Sequence, residues 1–145
     1  MEFFVYSRPA IERVPPHDVP HVVISITTTT AERARIPESP ECRGVLRLAF
    51  PDADSAVDGY SEDDLFGTRH ADQVWDFVLG HRDEIGRVVL HCDAGLSRSP
   101  GVAAALSRVL VGDDSGFFKR YRPNMRVYRT LLERYYDPFV GSADG

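Results

Sequence analysis

Short apolar runs rich in β-branched residues alternate along this chain with segments whose apolar positions recur every three or four residues. The clearest strands are His21–Ile26, Gly44–Phe50 and Arg87–His91, and Phe3–Tyr6 is a candidate fourth. The first and last of the three clear runs are almost continuously apolar, as in strands covered on both faces of a mainly parallel sheet. Helices are expected to supply that cover. One helix, beginning at Ser61 or Thr68, would bury Ala71, Val74, Trp75, Val78 and Leu79 and end at Gly80. A second starts after Ser99, carries Pro100 in its first turn and runs through Val102–Leu106 to Gly112. A third has Asn124 as its N-cap and turns Met125, Tyr128, Leu131, Leu132 and Tyr135 inward. Segments 27–42 and 51–60, punctuated by Pro, Asp and Gly, read as loops, and the residues from Phe139 on as a frayed tail. The pattern is that of an α/β fold: one domain over residues 1–145, with a central, mainly parallel sheet flanked by helices.

Composition narrows the function classes. A chain of 145 residues with 43% apolar content suits one compact domain. A net charge of −5, with Lys and Arg scattered, provides no basic stripe to track a nucleic-acid backbone, so nucleic acid is not expected as a partner. No apolar run is long enough to span a bilayer, and Met1–Tyr6 lacks the basic region and apolar core of a signal peptide, so no membrane association is expected. Two cysteines cannot make a disulfide framework, and the expectation is a soluble cytoplasmic protein with reduced thiols. No His-Glu-x-x-His or Cys-x-x-Cys spacing occurs, so neither a metal nor another cofactor is expected.

The chemistry concentrates between the strand Arg87–His91 and the helix that begins near Pro100. Asp93, Ala94, Gly95, Leu96, Ser97 and Arg98 form a strand-to-helix loop, a geometry in which backbone N–H groups and the helix dipole converge on an anion. At its base Cys92, in that field and near an arginine, is expected to be held as a thiolate and to act as nucleophile. Six residues on, Arg98 has the planar fork to grip two phosphate oxygens. Ser99 is placed to donate to the sulfur, and His91 to orient the loop.

The string His91-Cys92-Asp93-Ala94-Gly95-Leu96-Ser97-Arg98-Ser99-Pro100 resembles the Cys-x5-Arg signature of the cysteine-dependent protein tyrosine phosphatase superfamily, most of all its dual-specificity branch. Pro123-Asn124 before the last helix is similar to a Pro-Asn of that branch, which gives Asn124 a supporting role. The resemblance implies a metal-free, two-step hydrolysis through a phosphocysteine, with a general acid on a separate loop. Phe50-Pro51-Asp52 resembles the Trp-Pro-Asp loop of the tyrosine-specific relatives, making Asp52 the first choice and Asp54 and Asp58 its rivals.

The substrates so implied are a phosphorylated protein or a small phosphate monoester, with phosphotyrosine and also phosphoserine or phosphothreonine in a shallow pocket. Relatives that hydrolyse inositol lipids carry Lys inside the loop, whereas Asp93 stands here. Competing readings are a sulfurtransferase or arsenate reductase using the same cysteine loop, and a non-enzymatic module that binds phosphoproteins.

Overall fold

The computed structural model describes residues 1–56 and 59–137. Four strands, β1 (Glu2–Tyr6), β2 (His21–Thr27), β3 (Cys42–Ala49) and β4 (Arg87–His91), form one sheet in the order β1-β4-β2-β3. Every neighbouring pair is parallel. The expected central strands are central: β2 is buried at all seven positions and four of the five residues of β4 are buried. The edge strand β3 alternates, with Arg43, Val45 and Arg47 exposed, which is the signature of a strand covered on one face.

Five helices accompany the sheet: α1 (Arg8–Ile11), α2 (Thr68–His81), α3 (Arg98–Leu110), α4 (Ser115–Arg120) and α5 (Met125–Tyr136). On one face Val22, Ile24, Ile26, Val88 and Leu90 pack against Val74 and Val78 of α2, Val102 and Leu106 of α3, and Leu131 of α5. The other face departs from expectation. Val23 and Val89 are covered there by Ile11 of the one-turn α1 and by Val14 and Ile36 from the connecting segments, not by a layer of long helices.

Several boundaries differ from the sequence reading for identifiable reasons. The first long helix starts at Thr68, because Ser61 opens a separate 3₁₀ turn, Glu62–Asp64, whose Asp64 side chain returns to the Ser61 N–H. It ends at His81 rather than Gly80, and Leu79 is 40% exposed instead of buried. The second starts at Arg98 and ends at Leu110, two residues before Gly112. β3 starts at Cys42 and ends at Ala49, one residue short of Phe50, and Thr27 belongs to β2. In α5 Tyr128 and Leu131 are buried, whereas Tyr135 is 37% exposed and leans on Trp75. The sequence reading missed α1 and α4. Asp58 and the segment from Phe139 on lie outside the described residues.

Between the sheet and α5, helix α3 is buried at every position from Arg98 to Ser107. Its small residues allow this closeness: a Cβ on Gly101 would lie 2.9 Å from the Asn124 carbonyl oxygen. This contact fixes the start of α3 against the start of α5.

Candidate active site

All four strands run the same way, so the loops after β2, β3 and β4 leave from one edge of the sheet, where open α/β folds place ligands. The loop after β4 is held from outside by its carbonyls: Asp93 O accepts from Arg8 N (3.0 Å), Leu96 O from Arg122 N (3.0 Å) and Ser97 O from Asn124 N (2.9 Å). Its amides are different. Among the described residues no backbone N–H from Asp93 to Ser97 has a protein acceptor. Carbonyls tied outward and amides left over is the arrangement of an anion-binding nest. Gly95 makes the turn possible with φ of 71°, and a Cβ there would lie 2.7 Å from Ser7 N. Ser97, the N-cap of α3, makes no side-chain cap bond, so the first turn of that helix also keeps its amides.

Cys92 is 2% exposed at the base of this loop, and Ser99 Oγ donates to its sulfur at 3.1 Å. The preceding His91 is fully buried. Its Nε2 meets Ser25 Oγ at 2.6 Å and its Nδ1 meets the Cys92 carbonyl oxygen at 3.2 Å. Burial pushes the His91 imidazole below its usual range, so the ring is neutral at neutral pH.

Arg98 is buried and anchored. Nη1 donates to Phe50 O (2.9 Å) and Thr28 Oγ1 (3.1 Å), and Nη2 donates to Asp93 Oδ2 (2.9 Å). Of its five N–H groups, those bonds leave the Nε–H and one Nη2–H without an acceptor among the described residues, which is one bidentate edge of the guanidinium.

From the loop after β3, Asp52 meets the cysteine loop directly. Its Oδ1 accepts from Ser97 Oγ (2.8 Å) and from Asn124 Nδ2 (2.9 Å). Asn124 in turn caps α5, its Oδ1 accepting from Val127 N at 3.1 Å. Asp54 is directed elsewhere: its carboxylate lies against Arg126 N at 3.4 Å. The structure thus gathers Cys92, Arg98, Ser99, Asp52, Asn124 and His91 around one loop, while Asp54 shares a cavity with Asp52, Ser97 and Asn124 without a hydrogen bond to the loop. Leu96 stands 57% exposed at the rim, and Ala94 is also exposed.

The sequence reading missed Thr28, which anchors Arg98, and Ser25, which holds His91. Ser25 had a signal: a hydroxyl inside the apolar run Val22–Ile26 of a central strand must find a partner. Thr28 had none, because only folding brings it to Arg98. No cluster of three or more His, Cys, Asp or Glu side chains suited to a metal exists among the described residues. No helix among them is long and apolar enough to cross a membrane.

No protein-family model and no curated protein matches the chain. Solved structures do match. The human tyrosine phosphatase-like serine/threonine/tyrosine-interacting protein superposes with a TM-score of 0.62 at 17% identity, over 95% of this chain and 93% of that one. For human DUSP28 the values are 0.59 and 16%, over 97% and 94%, and for PTPMT1 0.55 and 18%, over 99% and 96%. At such identities what is shared is architecture: this chain has the single-domain α/β fold of the dual-specificity phosphatases.

Proposed function

We propose that the protein is a protein phosphatase that hydrolyses phosphotyrosine, and phosphoserine or phosphothreonine as well, through a phosphocysteine on Cys92. The observation that carries this reading is the direct junction of the two loops, Asp52 Oδ1 bonded to Ser97 of the cysteine loop. It supports the reading by bringing the Asp52 carboxyl group to the same loop whose Cys92 sulfur accepts a bond from Ser99.

In the first step Cys92 Sγ attacks phosphorus, the bond from phosphorus to the leaving oxygen breaks, and Asp52 gives that oxygen a proton. Both hydrogen bonds to Asp52 end on Oδ1, which leaves Oδ2 to carry the proton. The amides of Asp93–Ser97 and the open edge of Arg98 hold the three equatorial oxygens as charge redistributes. In the second step Asp52 takes a proton from water, the water oxygen bonds to phosphorus, the S–P bond breaks and Ser99 donates to the departing sulfur. The loop supplies the positive potential, so the mechanism requires no metal.

Phosphate release from phosphotyrosyl, phosphoseryl and phosphothreonyl peptides, with thiosulfate as the control for sulfur transfer, tests the reading. Turnover of phosphotyrosine and of at least one of the other two is expected. Thiosulfate turnover without phosphate release would transfer the site to sulfur chemistry, and stable retention of phosphopeptides without release would make it a binding module.

A further inference from the structure

Arg126 stands where a helix least favours it. It is the second residue of α5, whose first turn holds no acidic side chain, and a cation there opposes the helix dipole. Its side chain is nevertheless held at two firm points. Nε donates to the carbonyl oxygen of the buried Phe66 (2.8 Å) and Nη1 to Glu62 Oε2 (2.8 Å). The Glu62 side chain is 63% exposed, and so open an ion pair adds little to stability. What these bonds fix is a position.

That position is beside the far end of the loop that carries Asp52. Arg126 Nη1 also lies 3.4 Å from the Asp54 carbonyl oxygen, and the Arg126 backbone nitrogen 3.4 Å from Asp54 Oδ1. Among the described residues Asp54 has no other hydrogen-bond partner. Both contacts are long, so the hold on this end of the loop depends on how firmly Arg126 itself is placed. Glu62 extends that hold: besides its bond from Arg126, which does most to keep its carboxyl below the usual value, it accepts from the Ala56 N–H. The root of the loop is tied to the same place. Phe50 packs edge-on against Phe66 with ring centroids 5.0 Å apart, and Phe66 supplies the carbonyl that holds Arg126 Nε. Between root and far end stands Asp52, bonded to Ser97 and Asn124.

We propose that Arg126 is a positioning residue of the acid loop: it holds residues 54–56 against the start of α5, directly at Asp54 and through Glu62 at Ala56, and thereby keeps Asp52 within reach of the leaving oxygen. The inference rests on the phosphatase reading. It gives Asp54 a part as the tether of the loop rather than its acid. Asn124 holds Asp52 itself, and Arg126 holds the chain beyond it.

The test compares kcat for an alkyl phosphate, whose leaving oxygen needs a proton, with kcat for para-nitrophenyl phosphate, whose leaving oxygen needs it far less. Arg126→Met keeps an apolar stem and removes the side-chain donors. It should lower kcat for the alkyl phosphate by roughly 10-fold and for the nitrophenyl ester by less, with KM little changed. Glu62→Ala, at an exposed site, should repeat the pattern more weakly and carries the test should Arg126→Met unfold; Glu62→Gln, which keeps an acceptor oxygen, should retain most of the activity. In an Asp52→Ala background Arg126→Met should cost nothing further, because it acts through Asp52. No loss, equal losses on the two substrates, or an undiminished loss in the Asp52→Ala background overturns the assignment. Amide exchange at residues 53–56 follows the same variants without catalysis: faster exchange than in the wild type is expected in Arg126→Met and Glu62→Ala, and unchanged exchange overturns the tether. If the wild type hydrolyses neither phosphate, the phosphatase reading has failed instead, and the exchange rates still decide whether Arg126 holds the loop.

Discussion

Asn124 does two things with one amide. Its oxygen caps α5 by accepting from Val127 N, and its nitrogen donates to Asp52. The two roles separate by substitution. Asn124→Asp keeps the capping oxygen, removes the donor and sets a like charge beside Asp52, so it should melt within about 1 kcal/mol of wild type. Its turnover of alkyl phosphates, which need a proton on the leaving oxygen, should drop roughly 10-fold or more, with a smaller loss for para-nitrophenyl phosphate. Equal losses on both substrates would show that Asn124 does not act through Asp52. Asn124→Ala should lose activity in the same way and also about 0.5–2 kcal/mol of stability. At this scale the sequence was informative wherever a residue's neighbours in the chain define its chemistry. Asn124 could be read as a cap because it precedes a helical pattern, and Asp52 as a candidate because it follows a strand and Pro51. The bonds from Ser97 and Asn124 to Asp52, and from Thr28 to Arg98, join residues far apart in the chain, and no local pattern reports them.

Among the elements, α3 links packing to chemistry, since its first turn carries Arg98 and Ser99 while Gly101 rests against the start of α5. A methyl group at Gly101 would lie 2.9 Å from the Asn124 carbonyl oxygen and 3.2 Å from the Val127 side chain. Gly101→Ala should therefore push the two helix starts apart, cost about 1–3 kcal/mol and pull Asn124 from Asp52. Chemical denaturation measures the first effect. The second appears as a fall in kcat at temperatures where the variant is fully folded, and unchanged kcat there would contradict it. Periodicity revealed the long elements because each buries one continuous stripe, as α2 does with Ala71, Val74, Trp75 and Val78. It could not reveal α1, a single turn, or α4, six residues with no buried position. For the same reason the covering of the second sheet face escaped it: Ile11, Val14 and Ile36 reach Val23 and Val89 from segments without a period.

For the molecule as a whole, burial carries a pH signature. His17, His70 and His91 are each pushed below their ordinary value of 6.5, chiefly by burial. The unfolded chain therefore takes up protons just below that value which the folded chain refuses until the pH is lower. Their contribution to stability is complete above about pH 6.5 and is lost as the pH falls from there toward the folded values. Melting temperature should be flat from about pH 7 to 8 and decline between about 6.5 and 5; a rise on acidification through that window would contradict the burial of neutral imidazoles. The most direct test of the central claim is the rate of para-nitrophenyl phosphate hydrolysis in EDTA by the wild type and by folded Cys92→Ser protein. The account predicts turnover by the wild type and a loss of at least roughly 10³-fold in the variant, because in the proposed mechanism the Cys92 sulfur is the nucleophile and the loop does the work of a metal. A folded Cys92→Ser protein that turned over near the wild-type rate, or a wild type that needed a divalent ion, would contradict it.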